Sequence, residues 1–291
     1  MFFPVKEAAV SLSMVYKRFI PVFLLVLLPL AAGAVTVTWD GSDNDGDWIN
    51  GNNWVGNSPP NPGDDVVIPV GCSSYPAIIP SLTIDAGASS WGTLTLGSGV
   101  TLEIGVVTIK TGTVFNLNGD GVFKAGTVTI ENGSGPAVNL NLSSNVSLNA
   151  TAGVTVNTGA GLVFSGGGNS ITAGSVTVDG GGSLNIDSAV LNVGSGGVAS
   201  DGDIASSGGK IVVTGGNFSQ TGGGISGSVT IVAEGPGGID LQQCDTLTSE
   251  ILTATSGEIR LTTVPLTAPL TATVPVVAVR SIFPPALSPP A

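Results

Sequence analysis

The sequence predicts an all-β chain: a single-stranded, right-handed parallel β-helix, a solenoid closed by an N-terminal cap. The first observation behind this is a recurring phrase. It reads VTI at Val107–Ile109 and Val128–Ile130, VTV at Val154–Val156 and Val176–Val178, and VTI at Val229–Ile231, with a looser copy, KIVVTGG, at Lys210–Gly216. The early copies begin 21, 26 and 22 residues apart (107→128→154→176), a period that belongs to one supersecondary unit stacked on copies of itself. Second, each copy sets a Thr between two β-branched apolar residues, the alternation of a strand with one buried face. Third, Gly, Ser and Asn clusters follow the strands, as in VTVDGGGSLNID from Val176, and supply corners where φ is positive. The handedness follows the general rule for parallel crossovers.

Composition supports a folded chain. Gly and Pro are abundant, 44 and 18 of 291 residues, but 42% of the chain is hydrophobic and only 10% is charged. Disordered chains show the opposite balance. The formal net charge is −12. Of the eight basic residues, Lys6, Lys17 and Arg18 sit near the N-terminus, and Lys110, Lys124, Lys210, Arg260 and Arg280 are scattered. Nothing here tracks a phosphate backbone, so nucleic acid is not an expected partner.

The first element is a leader, residues 1–34. Lys17-Arg18 follow Met14, which offers a second translation start, and precede the apolar run Phe19–Leu30; Ala32-Gly33-Ala34 then gives a small-x-small cleavage pattern. The expectation is export to the cell surface, the exterior or a periplasm, with no stable membrane insertion after cleavage. An uncleaved anchor is the competing reading, opposed by Pro21 and Pro29.

Residues 35–80 form the expected cap. Trp39, Trp48 and Trp54 fall here, followed by a Pro-rich turn and Asp64-Asp-Val-Val-Ile68. The terminal turn of a solenoid exposes core and unpaired edges, and bulky side chains close it. The W-D-G, N-W and P-x-x-x-D-D-V-V-I segments ahead of Gly-rich turns resemble the opening of bacterial secreted and surface β-helix proteins of the adhesin or autotransporter-passenger kind. That resemblance implies an exported structural or adhesive module. Asp43, Asp45 and Asp47 alternate as calcium ligands do, but Trp48 stands where an EF-hand loop has Gly and no Glu follows at position twelve. A solvated acidic loop is the expectation, Ca2+ the alternative, and no other cofactor is indicated.

Residues 81–260 are the expected turns, roughly eight of them from Thr93. Inward positions include Val107, Ile109, Phe115, Leu117, Val128, Ile130, Leu162, Phe164, Leu184, Ile186, Val229 and Ile231. Thr108, Thr129, Thr155, Thr177 and Thr230 are then expected to point outward as one ladder, able to dock an ordered surface such as ice or a crystalline polymer. The plainer account is that Thr suits an exposed strand position. Residues 261–291 hold seven Pro and no Gly, and read as a tail or a truncated end.

Chemistry is sparsely signalled. Without His, a Ser-His-Asp triad is excluded. A glycan hydrolase or lyase is the enzymatic alternative, and Asp201 and Asp203 are its candidate carboxylates if strand alternation turns both to one side. Gly235-Pro-Gly-Gly238-Ile-Asp240 approximates a single calcium-binding nonapeptide, with Pro236 in place of its second Gly. Cys72 and Cys244 are too many turns apart to pair within one rod. The expected function is an exported structural or adhesion-type module without catalysis, with glycans or host-surface components as partners.

Overall fold

The computed structural model describes residues 35–262 apart from 62–63, 70, 73, 77, 85–92, 111, 113, 132–137, 144, 166–167, 245 and 248–250, and in addition 271–273 and 280–282. The leader and most of the Pro-rich tail lie outside the described residues. What is described is a parallel β-solenoid, without an α-helix among the described residues.

Each turn contributes to three faces. The first is built from β1 (Thr36–Thr38), β2 (Asp65–Ile68), β4 (Thr93–Leu96), β6 (Val114–Gly119), β8 (Val138–Ser143), β10 (Ala160–Ser165) and β12 (Ser183–Asn185). It continues through the leading halves of β14 (Asp203–Thr214) and β16 (Gly224–Glu234) to β18 (Thr246–Leu247). The second and third faces are the two halves of longer strands bent near their middle: β3 (Ile79–Ile84), β5 (Thr101–Ile109), β7 (Val122–Ile130), β9 (Ser147–Val156), β11 (Ser170–Val178) and β13 (Val190–Ser200).

Beyond β13 the bend opens. Ala173 still opposes Val193, but Ser175 opposes Gly197, so Gly194-Ser-Gly-Gly197 replaces a tighter corner. From there the two faces are carried by separate elements. The trailing halves of β14 and β16, then β19 (Ile251–Ala254) and β21 (Thr271–Thr273), continue the second face. The strands β15 (Phe218–Gln220), β17 (Ile239–Gln242), β20 (Ile259–Thr262) and β22 (Arg280–Ile282) continue the third. All these pairings are parallel.

The core is a set of like-on-like columns. Phe115, Leu140, Leu162, Leu184, Ile204, Ile225 and Leu247 stack inside the first face; Leu102, Phe123, Leu148, Ile171, Leu191, Ile211, Ile231 and Leu252 stack inside the second. These residues, and the inward positions read from the sequence, are all buried. Each contributes about 1.5–3 kcal/mol by leaving water, which no single turn could gain alone. One column departs from the pattern. Ile84, Ile109, Ile130, Val156 and Val178 are followed by Ser200 and Gln220 before Leu241 restores it. Gln220 Nε2 donates to the carbonyl oxygens of Gly202 (2.7 Å) and Gly222, so the polar insert ties down the corner of two successive turns.

Candidate functional site

At the N-terminal end, Trp39 and Trp54 are buried against Val66 and Ile68, with Trp48 packed on them. Their rings meet edge to face, Trp39–Trp54 at 5.0 Å and Trp48–Trp54 at 4.7 Å between centroids, a favoured geometry for the ring quadrupoles. Both buried indoles find acceptors: Trp39 Nε1 donates to Ser74 O at 2.7 Å and Trp54 Nε1 to Trp48 O at 2.9 Å.

The acidic loop between them is organised by asparagines. Asn50 Nδ2 donates to Asp43 Oδ2 (2.6 Å) and Asp45 Oδ2 (2.7 Å). The fully buried Asn53 donates to Asp45 Oδ1 and to Asp47 O, and accepts from Asp43 N at 3.1 Å. The Asp47 N–H and these amides hold the Asp45 carboxyl below its ordinary pKa. Asp43 and Asp45 thus spend their oxygens on the loop itself. Among the described residues, no group of three or more His, Cys, Asp or Glu is placed to hold a metal ion.

The two cysteines are not bonded to each other. Cys72, whose Sγ lies 2.9 Å from Pro69 O, has its thiol pKa pushed up by burial, with Asp40 adding to the shift.

Asp201 and Asp203 do not share a strand. Asp201 lies in the corner after β13, bonded through its N–H to Val178 O at 2.7 Å, and Asp203 begins β14 opposite Ser183. The alternation that would aim both at one cleft therefore fails, because the chain turns between them. The Asp201 carboxylate sits between Gly180 and Gly222 of the adjoining turns, where a Cβ would crowd it. The Asp203 carboxylate accepts from Gly224 N at 2.9 Å.

The threonine ladder exists with a different membership. Thr83, Thr108, Thr129, Thr155 and Thr177 are in register on five successive turns of the third face. Thr230 is not part of it: it opposes Lys210 on the second face, and Lys210 opposes Val190. The physical reason is the opened corner. Extra residues after Val193 shift the phase of the chain, so the same VTI phrase falls on a different side of the rod. The Thr column passes instead into Ala199, Ser219, Asp240 and Arg260.

That continuation leads into a surface trough that sequence reasoning did not find. One part, of about 530 Å³, runs beside Ser195, Gly196, Ala199, Gly216 and Ser219; the other, of about 240 Å³, is lined by Gly238, Asp240, Glu258 and Arg260. Asn217 and Pro236 border both, which makes the two parts one depression. Its wall is the opened corner. Gly237 stacks so tightly on Gly216 that a Cβ would come within 1.7 Å of Gly216 O. Arg260 bonds Glu258 Oε2 through both Nε (2.6 Å) and Nη2 (2.5 Å), and Asp240 accepts from Gln242 Nε2 at 2.6 Å. Asp201 and Asp203 line neither part. The roughly twenty-residue spacing of 199→219→240→260 was visible in the sequence, but no repeated residue type marked it.

Compared with known proteins, the chain matches no family model, no curated protein and no solved structure.

Proposed function

We propose that this chain is an exported, non-catalytic β-solenoid module of a bacterial surface or secreted protein, serving as a stalk or adhesive element. The observation that supports it most is the unbroken turn-on-turn register from Thr83 to Arg260, which uses nearly every distinctive residue to stack, turn or close the rod. Much of what remains outside is Thr, Ser, Asn and Asp, interrupted by single exposed apolar residues such as Ile49, Ile78 and Val106. The leader pattern and the Trp-containing segment favour export. The test is a screen of the purified protein against glycans and host-surface components, with and without calcium, alongside an assay for reducing-sugar release. Binding without turnover is the expected result. Polysaccharide cleavage by the purified protein, lost on substitution of a carboxylate such as Asp240, would replace this reading with a glycan-active enzyme.

A second reading is favoured by the five in-register threonines. Hydroxyl and methyl groups repeated at about 4.8 Å along a flat face suit an ordered surface such as ice or a crystalline polymer. Replacing Thr129 and Thr155 by Lys would then abolish adsorption, since a long charged side chain holds a flat lattice away from the face.

A further inference from the structure

We propose that the trough spanning Ser195 to Arg260 is a binding site for an uncharged carbohydrate chain lying along the axis of the rod. The proposal rests on the adhesive reading and gives it a place and a ligand class.

Shape comes first. The lining residues come from four successive turns, at 195–199, 215–219, 236–240 and 258–260, so the trough is about 15 Å long at some 4.8 Å per turn. It is open along its length, which suits a segment of polymer better than a compact metabolite.

Chemistry then narrows the polymer. A peptide would need either a free strand edge or apolar side-chain pockets. Along the trough the third-face strands are each paired on both sides, Val198 with Phe218, Phe218 with Ile239 and Ile239 with Ile259, so no edge is on offer there. The apolar lining is limited to Pro236, the exposed methyl of Ala199 and the outer margins of the buried Val198 and Ile239, none of which forms a side-chain pocket.

A polyanion is disfavoured by charge. Arg260 is paired with Glu258, Asp240 adds a further negative charge, and the whole chain carries −12. What the trough presents is a run of hydrogen-bonding groups. The Ser219 hydroxyl, the Asp240 carboxylate and the Arg260 guanidinium succeed one another along the axis. Asn217 lies beside Ser219 on the same turn, its Oδ1 accepting from Gly238 N at 2.9 Å and its N–H donors left to the trough. Glu258 uses only two of the five guanidinium N–H donors. Adjacent donors and acceptors of this kind suit vicinal hydroxyls. No aromatic ring lines the trough, so each sugar is held by hydrogen bonds alone, and useful affinity comes from chain length and repeated contacts.

The test uses the full chain and size-graded neutral oligosaccharides (gluco-, manno- and xylo-series), with oligogalacturonates as the charged comparison, measured by calorimetry and on a glycan array. At least one neutral series is expected to bind more tightly with each added sugar until the trough is filled, and the oligogalacturonates more weakly. The paired substitution Asp240→Asn with Arg260→Gln removes both charges while keeping polar side chains, and is expected to weaken binding roughly tenfold or more, as loss of charge-assisted hydrogen bonds implies. Ser219→Trp, a bulky residue at an outward strand position, is expected to block it. Glu103→Gln with Lys124→Gln, an ion pair on another face, is expected to change nothing. If neutral glycans bind equally well to the Asp240/Arg260 and Ser219→Trp variants, each shown to be folded by its circular dichroism, the trough is not the site, although the adhesive reading survives. If the protein adheres to cell surfaces but binds none of the neutral series, the ligand class is wrong. If it binds nothing at all, both readings fall.

Discussion

Asn53 shows how much one side chain settles. Its side-chain amide joins Asp43, Asp45 and Asp47, while its main-chain carbonyl separately accepts from the N–H groups of Asp40 and Gly41. Asn53→Ala removes the side-chain bonds to a loop whose aspartates are exposed to water, so a loss of about 1–2 kcal/mol is expected, read from denaturant unfolding followed by Trp fluorescence. The same loop sets an acid limit. The Asp47 N–H and the Asn50 and Asn53 amides hold the Asp45 carboxyl below its ordinary pKa, so its contribution is present above the ordinary carboxylate value and is lost as pH falls through the lowered one. Fluorescence of the neighbouring tryptophans should therefore change as the solution is acidified below about pH 4, with a smaller change in Asp45→Asn. Asp45 is solvent-exposed, so the effect is a local one.

At the scale of the element, the corners impose the strictest requirements. Gly119 ends β6 at φ +99°, and a Cβ there would lie 2.0 Å from Leu96 O of the preceding turn. Gly119→Ala is expected to destabilise the rod by more than about 2 kcal/mol, measured as a lowered melting temperature. An outward, half-buried strand position such as Thr129 should tolerate Val within about 0.5 kcal/mol. The same contrast explains what could be read in advance. Strand alternation is local, so the buried positions from Val107 to Ile231 were legible. Register is not local. It depends on how many residues each corner consumes, and the opening at Gly194–Gly197 could not be seen in a sequence already rich in glycine. Alternation alone therefore puts Thr230 in a ladder it does not join, gives no sign that Thr83 belongs to it, and sets Asp201 and Asp203 on one strand. The trough was hidden for the same reason, since its residues meet only through register.

For the whole molecule, the stacked turns give a rod whose two ends differ. Its outer column begins as threonine and continues through Ser219, Asp240 and Arg260 to Arg280. The hydrogen bonds between neighbouring turns all run along the axis of that rod. A pull applied between its ends therefore loads them in series, one turn after another, rather than sharing the load across a whole sheet. Stretched singly in a force spectrometer, the protein should yield in small successive steps. Each step releases the twenty or so residues of one turn (199→219→240→260), about 70 Å of extended chain. A single cooperative rupture would contradict this. A rod built this way lengthens under tension by shedding turns and can leave its remaining turns, and whatever they hold, intact.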